Sequence, residues 1–477
     1  MESITSILML FFTFIICVSF WFVMMNVILK NETCYMIDYE CYKGRKEMML
    51  NNREASKIAS RNKNNLSKED YKFLLKTYVS SGLGEETYGP KTVMLGQEEH
   101  PKLVDSLSEM EEIFYETIDS IFARSKILPS EIDILVVNVS LLPVVPSLTS
   151  RIINRYKMRE DIKAFNLSGM GCSASVIAID LVQKLFQTQK GRLAIVVSSE
   201  SMAANWYGGR ERSMMLANCL FRVGGCSMLL TNDRGQEAHK AFLKLKCVVR
   251  THSGSNDEAY NCCVHVEDDQ GYNGCRLTKS LPYIAAQSLS KNLQVLLPKV
   301  LPFWEIMRFV SLKARSKIIQ KLVGSKIINP KVVVGSKINL KSGIEHVCIH
   351  PGGRGVIDKV GKSLGINEFD LEPSRMALYR FGNTSVAGIW YALGYLEAKK
   401  RLKKGDKILM ISLGAGFKCN NCVWEVTRDM DDRTNVWSDM IDDYPSENMN
   451  KPQLGWMNDH AMALLEPEEI AKIIGLS

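Results

Sequence analysis

The chain contains no zinc-finger spacing, no RNP aromatic pattern and no P-loop, and its net charge of +8 over 477 residues is modest. Nothing in it calls for nucleic acid. Thirteen cysteines are too few and too scattered for a disulfide scaffold in a chain this long. Several of them, Cys219, Cys247 and Cys348, lie inside apolar runs, as reduced thiols of a cytosol-facing domain do. Cys419 and Cys422 form a CxxC with no second CxxC and no nearby histidine pair, so a metal site is not expected. Cys262, Cys263 and Cys275 have no ligand-like spacing and read as structural. Histidine is scarce: of seven, only His346 and His350 lie where a buried strand meets a turn.

Charge is missing altogether between Ser3 and Leu29. A run of about 27 such residues exceeds the ~20 that one membrane span needs and falls short of two. It is too long, and lacks the positive leader, for a cleaved signal peptide. Glu2 precedes it, and Lys30, Lys43, Arg45 and Lys46 follow. The positive-inside rule therefore places the body in the cytosol behind a tilted N-terminal transmembrane anchor.

The remainder alternates strands and helices, the pattern of an α/β fold with buried sheets. A helix is expected over 104–124, a buried strand over 131–140, a helix over 147–157, a helix over 176–186 and a buried strand over 193–199. The order then repeats, with a strand over 344–350, a helix opening at Gly352-Gly353-Arg354, a helix over 389–399 and a strand over 407–413. At an offset of about 211 residues, Val139 falls on His350 and Cys172 on Asn383. Order and spacing thus point to a duplicated fold with its site at a pseudo-twofold seam. The expected organisation is an anchor over 1–30, a wrapping linker over 31–88 and a cysteine-bearing half over 89–240. An insertion over 241–335, a half bearing histidine and asparagine over 336–430, and a tail over 431–477 complete it. Within the insertion, the stretch from Leu296 to Lys331 carries Pro298, Pro302 and Phe303-Trp304 and then a basic amphipathic helix with Phe309, Leu312, Ile319 and Leu322 on one face, suited either to a membrane surface, which the anchor favours, or to packing on the core with its charges in solvent.

The chemistry centres on Asn166-Leu-Ser-Gly-Met-Gly-Cys172-Ser-Ala-Ser175, where small residues crowd a cysteine just before an apolar helix. At a helix N-terminus, free N–H groups and the helix dipole favour a thiolate, so a lowered thiol pKa is expected for Cys172. His350 ends a strand before Pro351-Gly-Gly. His346, four residues back, points to the same side and is expected to support it. His252, in Arg250-Thr-His-Ser-Gly, is a weaker candidate. Cysteine, histidine and asparagine at turns serve either peptide-type hydrolysis or carbon–carbon bond formation. Spacing leaves both open, and the duplication favours the second.

The segments Gly82-Leu-Gly-Glu-Glu-Thr-Tyr-Gly-Pro90, Asn166 to Ala174, Cys348-Ile-His-Pro-Gly-Gly353, Arg380-Phe-Gly-Asn-Thr-Ser385 and Gly414-Ala-Gly-Phe-Lys-Cys-Asn420 resemble the plant 3-ketoacyl-CoA synthases, from about Cys34 to about Val426. These are membrane condensing enzymes of very-long-chain fatty acid elongation. The resemblance implies a duplicated thiolase-like fold, layered α/β/α/β/α, at the endoplasmic reticulum membrane. It implies that Cys172 accepts the acyl group, that His350 and Asn383 serve decarboxylation and the enolate, and that His252 and His346 support them. The N–H of Cys172 and the loop Gly414, Ala415 and Gly416 would form the oxyanion hole. Acyl-CoA and malonyl-CoA would be the substrates, with no metal or redox cofactor, and a homodimer and other elongase subunits the partners. Chain length would be set by a tunnel near residues 283–323. A poorly active homologue that pairs with active synthases is the competing reading, and a soluble polyketide-type synthase a more distant one. Three departures bear on turnover and topology: Tyr379 stands where the family usually has histidine, Val386-Ala387-Gly388 where it usually has serines, and one span where it mostly has two.

Overall fold

The computed structural model describes residues 34–61, 66–98, 101–312, 338–429 and 433–446, together with Ser19. The expected anchor, the stretch 313–337 of the basic helix and most of the tail lie outside the described residues. Among the described residues no helix is long and apolar enough to cross a membrane.

Among the described residues there are thirteen strands: β1 (Tyr35–Cys41), β2 (Met49–Leu50), β3 (Thr87–Tyr88), β4 (Ile134–Asn138), β5 (Lys163–Leu167), β6 (Leu193–Ser199), β7 (Gly225–Thr231), β8 (Leu243–His252), β9 (Cys263–Glu267), β10 (Asn273–Leu277), β11 (His346–Ile349), β12 (Lys407–Gly414) and β13 (Lys418–Val426). Nine form one run in the order β11-β12-β13-β8-β1-β7-β6-β4-β5. The join is thin: β1 meets β8 through only Tyr35↔Lys244 and Met36↔Leu243. On either side of it the halves match. In one, β4 is parallel to β6, β6 antiparallel to β7 and β7 antiparallel to β1. In the other, β11 is parallel to β12, β12 antiparallel to β13 and β13 antiparallel to β8. The duplication expected from spacing is therefore present strand for strand. One exception is β5, whose counterpart position is taken by the helix Glu368–Phe381.

Strands such as β4 form because they are rich in β-branched and apolar residues. Every residue of β4, Ile-Leu-Val-Val-Asn, is buried, as both faces of the sheet are covered. The two helices behind the turns, Ala174–Thr188 and Gly388–Ala398, are buried over most of their circumference, which suits the nearly all-apolar sequence of the second and the apolar first turns of the first.

Two boundaries need correction. Tyr35–Cys41, placed in the wrapping linker, is a strand in the middle of the sheet, and Leu243–His252, placed in the insertion, is its counterpart in the second half. Both carry charge at alternate positions, which hides a strand in a composition-based reading. In β1 the charge is neutralised across the fold: Asp38 pairs with Arg124 and Arg433, and Glu40 with Arg124. In β8 burial alternates along Leu243, Leu245, Cys247 and Val249, the period of a half-buried strand. Further along the stretch 31–88, Gly84 N–H donates to Tyr379 O at 2.7 Å, and Arg380 pairs with Glu86 at 3.2 Å.

Candidate active site

Cys172 sits in a short 3-10 turn, Gly171–Ser173, between β5 and the helix Ala174–Thr188. Gly169 and Gly171 take φ of +69° and +68°, a region open chiefly to glycine. Gly171 N–H donates to Ser140 Oγ at 2.9 Å. The second half supplies the other restraints. Ser412 Oγ donates to Cys172 O at 3.2 Å, Asn420 Nδ2 to Ser173 Oγ at 2.9 Å, and Ser385 Oγ to the Cys172 sulfur at 3.4 Å.

The pseudo-equivalent turn carries Asn383. Gly382 has φ +72°, matching Gly171 at the same offset. Asn383 Oδ1 accepts the Ser385 N–H at 2.9 Å, which fixes the amide and aims Nδ2 at Gly352 O, 3.4 Å away. Ser385 itself is held at φ +52°, a strained value for a residue with a side chain. His350 ends β11, tied by its N–H to Ile411 O at 2.8 Å. It is buried, and its Nδ1 has no hydrogen-bond partner.

Cys172, His350 and Asn383 line one cavity of about 370 Å³, together with Gly414 and Ala415. Lys279 and Arg354 stand on its wall, as do Leu281 and Pro282 near the start of the segment expected to shape the tunnel. Cys172 also lines a second cavity of about 480 Å³, with Glu200, His252, His265, Cys275 and Lys418. The two meet at Cys172, Phe221, Cys263 and Ala415.

His252 shares the second cavity with the cysteine, its Nδ1 accepting Gly254 N–H at 3.0 Å. His346 does not reach it. It points to the expected side but lies about 13 Å down the strand, four residues at ~3.3 Å each, where Nε2 contacts Asp406 at 2.9 Å. Gly414, Ala415 and Gly416 close on the cysteine turn. A Cβ on Gly171 would stand 2.7 Å from Ala415 N, and one on Gly414 would stand 2.6 Å from Ser173 Oγ.

The electrostatics differ from the expectation at Cys172. Burial pushes its thiol up to about 12, outweighing the Ser385 hydrogen bond. A helix N-terminus favours the thiolate only as far as solvent loss allows, and here desolvation prevails. Burial also holds His350 down at about 4. At neutral pH both groups are uncharged. Glu200, which accepts from the N–H groups of Ser140 and Leu141 at 3.1 and 2.8 Å, is raised to about 7 by burial.

Ser385, Ser140 and Glu200 are site residues that the sequence reading missed. Ser385 was visible two residues after Asn383. Ser140 and Glu200 had no signal beyond their position at strand ends. Tyr379, the suspected disturbance beside Asn383, lines neither cavity. Its ring packs on Gly84 and edge-on against Tyr444, with centroids 6.3 Å apart. Cys419 and Cys422 are buried on β13, and among the described residues no group of three or more His, Cys, Asp or Glu is placed to hold a metal.

With this geometry in hand, the likenesses are specific. The family description "FAE1/Type III polyketide synthase-like protein" matches residues 26–318, and that of the C-terminal part of 3-oxoacyl-[acyl-carrier-protein] synthase III matches 339–426. From Arabidopsis thaliana, 3-ketoacyl-CoA synthase 19 is 55% identical over 91% of this chain and 93% of its own, and 3-ketoacyl-CoA synthase 12 is 52% identical over 90% and 92%. In three dimensions the type III polyketide synthase domain of Steely1 from Dictyostelium aligns with TM-score 0.64 at 13% identity, covering 83% of this chain and 99% of that one. PKS-I from the brown alga Ectocarpus siliculosus aligns with TM-score 0.62 at 14% identity, covering 83% of this chain and 98% of that one. The structural likeness establishes a mixed α/β thiolase-like fold, and the sequence likeness goes further: the chain belongs to the 3-ketoacyl-CoA synthases, the acyltransferase condensing enzymes of the FAE1 type.

Proposed function

We propose that the protein elongates a long-chain acyl-CoA by two carbons through decarboxylative condensation with malonyl-CoA, with Cys172, His350 and Asn383 as the reacting set. The observation that carries this is the shared cavity, in which one thiol, one imidazole and one carboxamide face a common space. In the first step the Cys172 sulfur attacks the acyl thioester, the bond to CoA breaks, and the proton of Cys172 leaves, in net terms, with the CoA thiol. The N–H of Cys172 and the Gly414–Gly416 loop take the developing oxyanion. In the second step the malonyl carboxylate leaves as CO₂. The enolate oxygen is held by His350 and by Asn383 Nδ2, and the enolate carbon attacks the acyl-Cys172 carbonyl. Collapse expels Cys172 sulfur, which takes up one proton, and a 3-ketoacyl-CoA departs. A dry, uncharged site suits this chemistry, because a carboxylate desolvated there is driven toward neutral CO₂. His252 lines the space on the other side of Cys172 and supports the acyl partner; His346 supports only the base of β11. Lys279 and Arg354 supply positive charge beside the cavity for the carrier's phosphates.

The uncharged run 3–29 supports a body held at a membrane, that of the endoplasmic reticulum, and facing the cytosol. Phe303, Trp304, Met307 and Val310 support a second membrane contact: they recur at helical spacing within 303–312 and are 48, 59, 43 and 52% exposed. A homodimer and other elongase subunits are the expected company. The weaker reading, a poorly active partner of other synthases, draws on the unpartnered His350 Nδ1.

The test supplies microsomes carrying the protein with labelled malonyl-CoA and a series of acyl-CoAs. Condensation that disappears in Cys172→Ala is the expected result. No labelled product at any chain length would favour the partner role.

A further inference from the structure

Of the thiols the proposed chemistry leaves unused, two stand together. The sulfurs of Cys263 and Cys275 are 3.8 Å apart, and both are free. They lie on the hairpin β9–β10, whose register pairs Cys263 with Leu277 and His265 with Cys275. Side chains two apart on a strand share a face, so Cys263, His265, Cys275 and Leu277 all point one way. That way is the active site: Cys263, His265 and Cys275 line the second cavity with Cys172, and Cys263 also lines the first. Two other thiols face each other in register, Cys41 and Cys226, but those are sealed in the core at 3% and 1% exposure. Cys262, next in the chain, is fully buried and donates to Ala259 O at 3.2 Å.

We propose that Cys263 and Cys275 are a peroxide-sensitive thiol pair, oxidised to a disulfide at the junction of the two cavities. The sulfurs need to approach by about 1.8 Å to reach bonding distance, a movement side-chain rotation on neighbouring strands can supply. The Cys263 S–H hydrogen-bonds the Cys275 sulfur, which lowers the pKa of Cys275 and makes it the first nucleophile. Cys275 sulfur attacks one oxygen of hydrogen peroxide, breaking the O–O bond and leaving a sulfenic acid and, with its own proton, one water. Cys263 sulfur then attacks Cys275 sulfur, the S–O bond breaks, and hydroxide leaves with the Cys263 proton as a second water. Two thiols are oxidised and one peroxide is reduced. Cys263 is one of four residues at the junction, with Cys172, Phe221 and Ala415, so the new bond displaces a side chain beside Cys172.

The experiment uses the full chain in detergent micelles, reduced and then treated with hydrogen peroxide, with free thiols alkylated under denaturing conditions. Cleavage before Asp268 separates the two cysteines. The expected outcome is loss of two of the thirteen alkylatable thiols and a dithiothreitol-sensitive link between the peptides of Cys263 and Cys275. The same link is expected in Cys172→Ala. In the native protein the rate at which iodoacetamide labels Cys172 should change on oxidation, and should not change in Cys275→Ser. The proposal is overturned if Cys263 and Cys275 stay alkylatable at peroxide levels that already oxidise Cys172, or if the recovered link joins Cys172 to either of them. Neither readout uses turnover, so failure here leaves the synthase reading intact, and failure of that reading leaves this one testable.

Discussion

Cys172 and Asn383 occupy the same station in two copies of one supersecondary unit, yet their surroundings differ. The cysteine turn follows a strand, β5, and is restrained mostly from the other half, by Ser385, Ser412 and Asn420. The asparagine turn follows a helix and restrains itself, Asn383 Oδ1 binding the N–H two residues on. The sulfur that the proposed reaction would acylate carries one long contact, from Ser385 Oγ at 3.4 Å. The amide, which must only present a donor, is locked. Duplication supplied two equivalent turns, and the differences in their wiring suit the proposed division of labour, one turn as nucleophile and the other as electrostatic support.

The largest effects should separate the two turns chemically. Cys172→Ala is expected to abolish condensation yet leave malonyl-CoA decarboxylation measurable, since the donors that hold the enolate belong to the other half. Asn383→Ala and His350→Ala should do the reverse, still loading acyl label on Cys172 while decarboxylation falls about 10²–10³-fold, the usual cost of one preorganised donor. Release of labelled CO₂ and retention of acyl label on the protein read the two steps independently. If Cys172→Ala loses decarboxylation as fully as Asn383→Ala, the division of labour between the turns is wrong.

The halves should also answer pH with opposite signs. His350 falls from 6.5 to about 4 on burial. The unfolded chain therefore binds the extra proton between those values, and stability is lost as pH drops from 6.5 toward 4, by about 3 kcal/mol at the limit. In the first half, Glu109 and Glu200 rise from 4.5 to about 7 through burial. There the folded state holds the extra proton, so each contributes stability below pH 4.5 that is lost as pH rises to 7, again by about 3 kcal/mol. On acidification from pH 6.5 to 4 the melting temperature of His350→Phe should thus fall less, relative to its own value at pH 7, than that of the parent. An unchanged profile between pH 4 and 6.5 would mean that His350 is not desolvated.

Smaller and more even effects are expected from the two glycines that begin the turns. A Cβ on Gly171 meets the Ala415 backbone nitrogen at 2.7 Å, and one on Gly382 meets the buried Arg222 side chain at 2.3 Å. With positive φ at both, Gly171→Ala and Gly382→Ala should each destabilise by about 1–3 kcal/mol in chemical unfolding. Only Gly171→Ala presses on the oxyanion loop, so it should lose more activity per unit of stability lost.

Much of this was legible in the residues because it is local. Buried strands such as β4 and β6 announce themselves by unbroken β-branched runs, and the turn at Cys172 by its glycines. The repeat appeared as spacing, since an offset that carries Cys172 onto Asn383 also carries Gly171 onto Gly382. What failed was long-range. β1 looked like linker because Asp38 and Glu40 find their arginines some 85 and 395 residues away. His346 looked like a site residue because alternation fixes which way a side chain points and not how far along the strand it stands. The Cys172 thiol looked acidic because helix position is written in the sequence, whereas burial is assembled from the whole fold. Ser385 stands two residues after Asn383 in the sequence, but its contact with the Cys172 sulfur is made only where the two halves fold against each other.

The mildest change bears on the residues Val386-Ala387-Gly388, where serines are usual in the resembling family. His350 Nδ1 is buried and unpartnered, and a Cβ added to Gly388 would stand 3.4 Å from it and 2.8 Å from the Pro351 ring. A serine hydroxyl reaches one bond further, within hydrogen-bond range of that nitrogen, provided Pro351 yields a few tenths of an ångström. Gly388→Ser should therefore satisfy the orphan acceptor, fix the tautomer that carries its proton on Nε2, and turn that N–H toward the cavity shared with Asn383. A hydrogen bond of this kind is worth about 1 kcal/mol, so decarboxylation is expected to rise by roughly fivefold at constant acyl loading, with Gly388→Ala as the control that adds the bulk without the donor. Equal loss in both variants would show that the ring of Pro351 cannot move, and that in this chain the second half holds its imidazole by packing alone.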